Sequence, residues 1–262
     1  MGMIIGILSL KGGVGKTSVV SALGDVLSGF GRRVLLIDGN FSAPNLGLHL
    51  NIIDPEVTIH HVLRRKANAT KAIYKLENFD VIPASVSGMP INPLKLRNRI
   101  RTLKDKYDII LIDSPPALNE ETLGVIFASD RLIVVTTPDY PTLRMSIKTI
   151  RIAKQRGLPI IGLVLNKVHD KNFEMDISDV EDMTEVPVMA VIPHDVNILK
   201  ALSEFVPSTK YKPKSDASIE YKKLAASLIG EKYKPKKFWN FFNSKPKRHE
   251  INREIYYERV FG

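Results

Sequence analysis

The sequence predicts an α/β fold, a mostly parallel, twisted sheet with helices on both faces in three α/β/α layers. Short runs that are apolar at nearly every position recur along the chain, the pattern of strands covered on both faces. Amphipathic stretches separate these runs, so strand and helix alternate, which favours right-handed crossovers. A glycine-rich turn follows the first run and leads into a helical pattern.

In chain order, the strand-like runs are 3–10 (MIIGILSL), 34–38 (VLLID), a shorter 79–83, 107–113 (YDIILID), 131–137 (RLIVVTT), 158–166 (LPIIGLVLN) and 187–192 (PVMAVI). Helical patterns cover 16–30, 91–105, 119–129, 141–156, 195–205 and 217–229. No internal repeat is present. Residues 207–216 (PSTKYKPKSD) read as a loop between the last two helices, and Pro235 marks the join to a C-terminal stretch of different composition. The expected division is one domain over 1–231 and a basic, aromatic-rich tail over 232–262.

A chain of 262 residues can bury a sizeable core. It has no cysteine, which excludes disulfides, thiolate metal sites, cysteine-ligated iron–sulfur clusters and cysteine nucleophiles. The six histidines show no metal-ligand spacing; His60 and His61 are adjacent and would point apart on a helix, so zinc is not expected. No apolar run reaches the roughly 18–20 residues that span a bilayer. Met1-Gly2-Met3-Ile4-Ile5-Gly6 lacks the basic flank of a secretory signal, so the expectation is an intracellular, soluble protein. The formal net charge of +10 suits anionic surfaces. Nine basic residues against four glutamates place half of that excess in 231–262, together with eight aromatic residues.

The turn after the first strand reads Lys11-Gly12-Gly13-Val14-Gly15-Lys16-Thr17-Ser18. Glycines let backbone N–H groups converge on phosphates without Cβ clashes, and the helix N-terminus adds free donors and a positive dipole end. Lys16 would reach the β- and γ-phosphates and the Thr17 hydroxyl would ligate Mg²⁺. The general P-loop pattern places glycine six positions before its lysine, where this chain has Leu10.

Lys11 to Thr17 resembles the deviant Walker A motif of the MinD/ParA ATPases, which carries a second lysine at the start of the loop, and the chain is closest to the MinD-like members. That family tolerates a non-glycine at the position of Leu10. The resemblance covers essentially residues 3–230 and implies a P-loop NTPase fold, ATP and Mg²⁺ as ligands, and ATP hydrolysis. It also implies a homodimer formed on ATP, in which Lys11 crosses into the nucleotide site of the second subunit. A triphosphate of about four negative charges can use one more cation than a single subunit supplies.

Two further strands end in an acid, Val34 to Asp38 and Ile109 to Asp113, which places each carboxylate at the strand's carboxyl end, where open α/β sheets bind ligands. Asp113, with Ser114-Pro115-Pro116 after it, resembles the family's Walker B and second switch and would hold the Mg²⁺ hydration shell or ligate the ion through water. The family commonly has a D-x-D pair where this chain has Asp38-Gly39-Asn40, and its second acid orients the attacking water. An amide can position water but cannot take a proton near neutral pH, so slow hydrolysis and a long-lived ATP dimer are expected. Residues 41–48 resemble the first switch. Asn166, at the end of a buried strand, matches the family's base-contacting asparagine, and Pro193-His194-Asp195 would close the other side of the base pocket.

Between Pro235 and Pro246, the residues Phe238, Trp239, Phe241 and Phe242 fall within one helical arc, with Lys236, Lys237 and Lys245 flanking them. An apolar aromatic face with basic flanks describes an interfacial segment on an anionic membrane, which two copies bind far better than one. MinD proteins carry such a C-terminal segment, although 247–262 extend beyond a typical one; Ile251, Ile255 and Tyr256 there could form a second amphipathic turn. The expected output is recruitment or placement of a protein partner, such as division machinery, on the cytoplasmic face of the membrane. Arg97, Arg101 and Lys104, at i, i+4 and i+7, leave open non-specific DNA binding and a ParA-like partitioning role. Tyr256-Tyr257 also resembles the tyrosine clusters of bacterial P-loop autokinases.

Overall fold

A computed structural model describes residues 2–85, 90–235 and 246–262. The first half runs β1 (Met3–Leu8), α1 (Lys16–Gly29), β2 (Val34–Asp38), α2 (Leu46–His49), α3 (Ile59–Leu63), β3 (Tyr74–Lys75), β4 (Asp80–Ile82), α4 (Leu96–Ile100), β5 (Ile109–Asp113) and α5 (Glu120–Ala128). The second half runs β6 (Arg131–Thr136), α6 (Tyr140–Gln155), β7 (Ile160–Val168), α7 (Ile177–Thr184), β8 (Val188–Pro193), α8 (Val196–Ser203), α9 (Ser208–Tyr211), α10 (Asp216–Leu228) and α11 (Arg248–Phe261). The strands form one eight-stranded sheet in the order β3-β4-β2-β5-β1-β6-β7-β8, parallel except for the edge pair β3–β4.

The fully apolar runs are strands with both faces buried. Even-numbered residues of β1, β5 and β6 (Ile4, Ile110, Ile112, Leu132, Val134) join one core layer with Val125 of α5 and Leu143 and Ile150 of α6. Their odd-numbered neighbours (Ile5, Ile7, Ile109, Leu111, Ile133, Val135) join the other with Val19, Leu23 and Leu27 of α1 and Tyr221 and Leu224 of α10. This division follows from the strand period of two. The chain leaves β1 toward β2 on one side and later adds β6 on the other, so the carboxyl ends around β1 form the crevice typical of open α/β sheets.

Three segments differ from the sequence expectation. The helix expected over 91–105 is broken into a 3₁₀ turn at Pro93–Lys95, the single turn of α4 and a 3₁₀ turn at Arg101–Asp105. Lys95 with Arg99, and Arg97 with Arg101, stand four apart, and like charges at that spacing repel along a helix. Within the loop expected over 207–216, α9 forms one turn, and its Thr209 hydroxyl bonds Asp25 of α1 at 2.5 Å. The C-terminal stretch does not share one character, because α11 packs on β8 and α10. Asn252 Nδ2 donates to the Val188 carbonyl at 2.8 Å and Arg253 Nη1 to the Met189 carbonyl at 2.8 Å, so α11 satisfies outward groups of the edge strand. Among the described residues, no helix is long and apolar enough to cross a membrane.

Candidate nucleotide-binding site

The loop after β1 needs glycine at two positions. Gly13 and Gly15 have φ of 79° and 89°, in the left-handed region, and Gly15 caps α1. A Cβ at Gly15 would also lie 2.4 Å from Asn166 Nδ2, so conformation and close approach both demand glycine. Val14 is buried beneath the loop. Gly12, Gly13, Gly15, Lys16, Thr17 and Ser18 line a cleft of about 480 Å³.

The charged groups at its base are buried together. The Thr17 hydroxyl donates to Asp113 Oδ2 at 2.5 Å. Burial pushes the Lys16 ammonium below its ordinary pKa, with the Asp113 carboxylate pulling it back up. Burial likewise raises Asp113, to about 6, against the pull of Lys16 and the Thr17 hydrogen bond. Asp38 stands beside Asp113 in the β2–β5 register and is raised to about 8, first by burial and then by its neighbour's charge. Three backbone N–H groups, of Asn40, Asn45 and Leu46, donate to Asp38 at 3.0 to 3.1 Å and hold the loop after β2 around it.

Two orphaned oxygens test the fit of a ligand. Asp113 Oδ1 is buried without a hydrogen-bond partner among the described residues, next to the Thr17 hydroxyl. A hydroxyl and a carboxylate oxygen are hard donors suited to Mg²⁺, whose charge would offset that of the paired acids. Asn166 Nδ2 donates to the Val14 carbonyl at 2.7 Å, while its Oδ1 is buried and unpartnered among the described residues. That oxygen would accept from the exocyclic amine of a base. Of the asparagine expected to contact the base, the structure thus engages the nitrogen in bracing the loop, and only the oxygen has no partner among the described residues.

Pro193, His194 and Asp195 line the same cleft. The His194 ring stacks on His169 with centroids 4.4 Å apart. The His194 backbone N–H donates to the Val168 carbonyl at 2.8 Å and ties the ends of β7 and β8 together beside the cleft. The Asp195 carboxylate caps α8 by accepting from Asn197 N–H at 2.8 Å. Asn40 lines the cleft and donates through Nδ2 to the Ala43 carbonyl.

Lys11 stands apart from these groups. Its ammonium reaches Thr142 Oγ1 at 2.5 Å and Asp139 Oδ1 at 3.4 Å, with the side chain 45% exposed, and it does not line the cleft that Lys16 enters. Burial alone would raise Asp139, but hydrogen bonds from Thr137 and Thr142 and the charge of Lys11 hold it at about 2.

Several lining residues escape the sequence reading. Ile198, Leu199 and Leu202 of α8 form an apolar wall, and Asn45, His49, Ser114 and Pro116 complete the rim. The amphipathic pattern over 195–205 marks an apolar face without saying that part of it borders a ligand cleft. Lys167, which also lines the cleft and has φ of 57°, donates from Nζ to the Gly13 carbonyl at 2.7 Å and braces the loop.

Other expected interaction residues are held elsewhere. Lys104 pairs with Asp130 at 2.7 Å, Arg97 donates to the Phe127 carbonyl at 3.2 Å, and Arg101 is exposed. The Tyr256 hydroxyl accepts from Arg131 at 2.9 Å, and Lys232 lies over the Tyr257 ring. Phe238, Trp239, Phe241 and Phe242, with Lys236, Lys237 and Lys245, lie outside the described residues.

Residues 2–159 match a family model described as an AAA domain. The chain is 36% identical over 237 residues to an uncharacterised ATP-binding protein of Methanocaldococcus jannaschii, covering 89% of this chain and 90% of that protein. The solved structure of the cell division ATPase MinD of Pyrococcus furiosus has a TM-score of 0.83 and 38% identity, covering 87% of this chain and 99% of that one. The septum site-determining protein MinD of Pyrococcus horikoshii, solved in complex with Mg-ADP, also has a TM-score of 0.83, with 36% identity over 87% of this chain and 96% of that one.

Proposed function

Because the chain belongs to the MinD/ParA family, on its MinD-like side, and is a P-loop ATP hydrolase, we propose that it is a nucleotide-driven switch in cell division. Mg·ATP joins two copies face to face, the pair attaches to the cytoplasmic face of an anionic membrane, and a protein partner is placed or recruited there. Hydrolysis releases the pair.

The position of Lys11 carries this reading. Lys16 already occupies the cleft of its own subunit, whereas Lys11 is half-exposed outside that cleft and restrained by two side chains. Surface ion pairs of that kind are worth little, so the lysine can transfer to a triphosphate on a facing copy at small cost. Thr17 and Asp113 would hold Mg²⁺, which supplies charge neutralisation to the phosphates when bound. Lys16 and the loop N–H groups bind and orient the phosphates, Asn166 Oδ1 reads the base, and the wall of α8 excludes water from it. Asp38 shapes the loop that carries Asn40. The aromatic residues Phe238, Trp239, Phe241 and Phe242 with their flanking lysines would make the membrane contact.

The test is sedimentation of the full chain with vesicles of mixed anionic and zwitterionic phospholipid, in Mg·ATP and in Mg·ADP. ATP-dependent pelleting with the anionic vesicles, in parallel with dimer formation by light scattering, is the expected result. Retention on non-specific DNA without vesicle binding would replace the membrane by DNA as the anionic surface.

Asn40 leads to a rate prediction. The Asn40→Asp variant is expected to hydrolyse ATP several-fold faster than the wild-type chain, since a carboxylate both orients water and accepts its proton. A steady-state phosphate-release assay showing equal or slower turnover would remove Asn40 as the cause of slow hydrolysis.

A further inference from the structure

One buried carboxylate ties together two loops of the site, and neither the phosphate cradle nor the magnesium ligands use it. Glu121 sits in the first turn of α5 and is buried. Its Oε2 accepts from the N–H groups of Phe41 at 3.0 Å and Ser42 at 3.3 Å, and its Oε1 accepts from the Ser42 hydroxyl. Among the described residues it forms no ion pair with Lys or Arg. A buried anion so placed is satisfied by the loop it grips.

Both ends of this link reach the cleft. Phe41 directly follows Asn40, and its buried ring meets His60 edge-on with centroids 5.9 Å apart. On the other side, α5 starts where the segment after Asp113 ends. Asn119 caps it by accepting from Thr122 N–H at 3.0 Å, and the Thr122 hydroxyl bonds the Ala117 carbonyl. Ser114 and Pro116 of that segment line the cleft. The two loops also touch directly, since Gly39 N–H donates to the Asp113 carbonyl at 2.8 Å and a Cβ there would lie 2.7 Å from that oxygen. A displacement of 114–119 therefore moves the first turn of α5, and the Glu121 carboxylate carries residues 41 and 42 with it.

We propose that Glu121 is a positioning residue that couples the segment after Asp113 to the loop carrying Asn40, so that both loops respond together to the nucleotide. This rests on the reading of those loops as nucleotide-sensing. The carboxylate acts through the backbone of Phe41 and Ser42 and does not touch the reacting atoms.

The experiment uses the full chain with Mg²⁺ and either ADP or a non-hydrolysable ATP analogue, read by amide hydrogen exchange, together with kcat and KM for ATP. In the wild type, exchange at Phe41 and Ser42 is expected to differ between the two nucleotides. In Glu121→Ala that difference is lost and kcat falls about tenfold while KM stays within about twofold, because positioning is lost and phosphate binding is kept. Glu121→Gln keeps an acceptor oxygen for the two N–H groups and an amide that can donate to the Ser42 hydroxyl, so it restores both readouts. Should Glu121→Ala fail to fold, Ser42→Ala removes one of the three bonds and is expected to shift both readouts in the same direction by less. Unchanged kcat and an intact nucleotide response in whichever variant folds would overturn the proposal, as would a Gln variant as impaired as Ala. Wild-type phosphate-loop amides over 12–18 that respond to nucleotide while Phe41 and Ser42 stay silent would overturn the coupling alone. Silence at 12–18 as well would overturn the nucleotide reading and the coupling with it.

Discussion

Lys11→Ala is expected to abolish the ATP-dependent dimer while leaving the nucleotide affinity of a single copy within about threefold, because this ammonium stands outside its own cleft. Truncating one partner of a buried, hydrogen-bonded charge pair costs roughly 2–5 kcal/mol, and a symmetric dimer loses two such contacts, so dimer dissociation should rise by about a thousandfold or more. The fold should hardly notice. Asp139 keeps its hydrogen bonds from Thr137 and Thr142, and the lost surface pair is worth about 1 kcal/mol at most. Light scattering with a non-hydrolysable analogue, beside a fluorescent-nucleotide titration, separates the two effects. A variant that still dimerises, or one that loses nucleotide binding in the monomer, would show that Lys11 serves its own subunit.

The second large effect concerns α11. Arg253 Nη1 donates to Glu220 Oε1 at 2.5 Å as well as to the Met189 carbonyl, and His249 Nε2 lies 3.2 Å from the same Glu220 oxygen. All three side chains are buried, so removing the guanidinium leaves the Glu220 carboxylate with only His249 and a longer contact to Lys223, and strands an edge-strand carbonyl. Arg253→Ala is expected to cost about 3–5 kcal/mol, and to release α11 before the rest of the domain unfolds. Hydrogen exchange over α11 and β8 reads this directly. Replacing both partners with apolar residues, Glu220→Leu with Arg253→Met, should recover only part of the loss, because the buried carboxylate goes with the guanidinium while His249 Nε2 and the Met189 carbonyl lose their partners. Unaltered exchange in Arg253→Ala would mean that α11 is held by its other contacts.

The same cluster sets an acid limit. Burial would raise the Glu220 carboxyl, but His249 and Arg253 overcome it and hold the group at about 2, against an ordinary value of 4.5. A depressed carboxylate contributes its stability above the unfolded value and loses it as pH falls through the folded one. Docking of α11 in the wild type should therefore be constant above pH 4.5 and weaken progressively toward about 2.

Much of the fold was legible in the sequence because its strands are buried on both faces. The runs 34–38 and 131–137 match β2 and β6 to within a residue, since apolar side chains fill nearly every position of each. The two-residue β3 was not legible, because an antiparallel edge pair of Tyr74 and Lys75 carries no run at all. The interruption of 91–105 was not legible in its apolar period, because Leu96, Ile100 and Leu103 keep helical spacing and are all buried. Of the helix over 248–261 the sequence offered only an amphipathic turn through Ile251, Ile255 and Tyr256, and Ile251 and Ile255 are exposed. The buried residues that anchor it, His249 and Arg253, are polar, and hydrophobic periodicity does not report a helix docked through hydrogen bonds.

The phosphate cradle, the strand-end acids and the alternation of strand and helix could be read before any packing was known. Each depends on contiguous residues, on backbone freedom at glycine and on the period of apolar side chains. Packing alone gave Asn166 one oxygen free for a ligand, leaned Lys11 away from its own cleft, set Glu121 against the loop after β2 and sealed the edge of β8 with α11. Those arrangements join groups up to more than a hundred positions apart, and their energies depend on burial and on which partner each polar atom meets, quantities that exist only once the chain has folded.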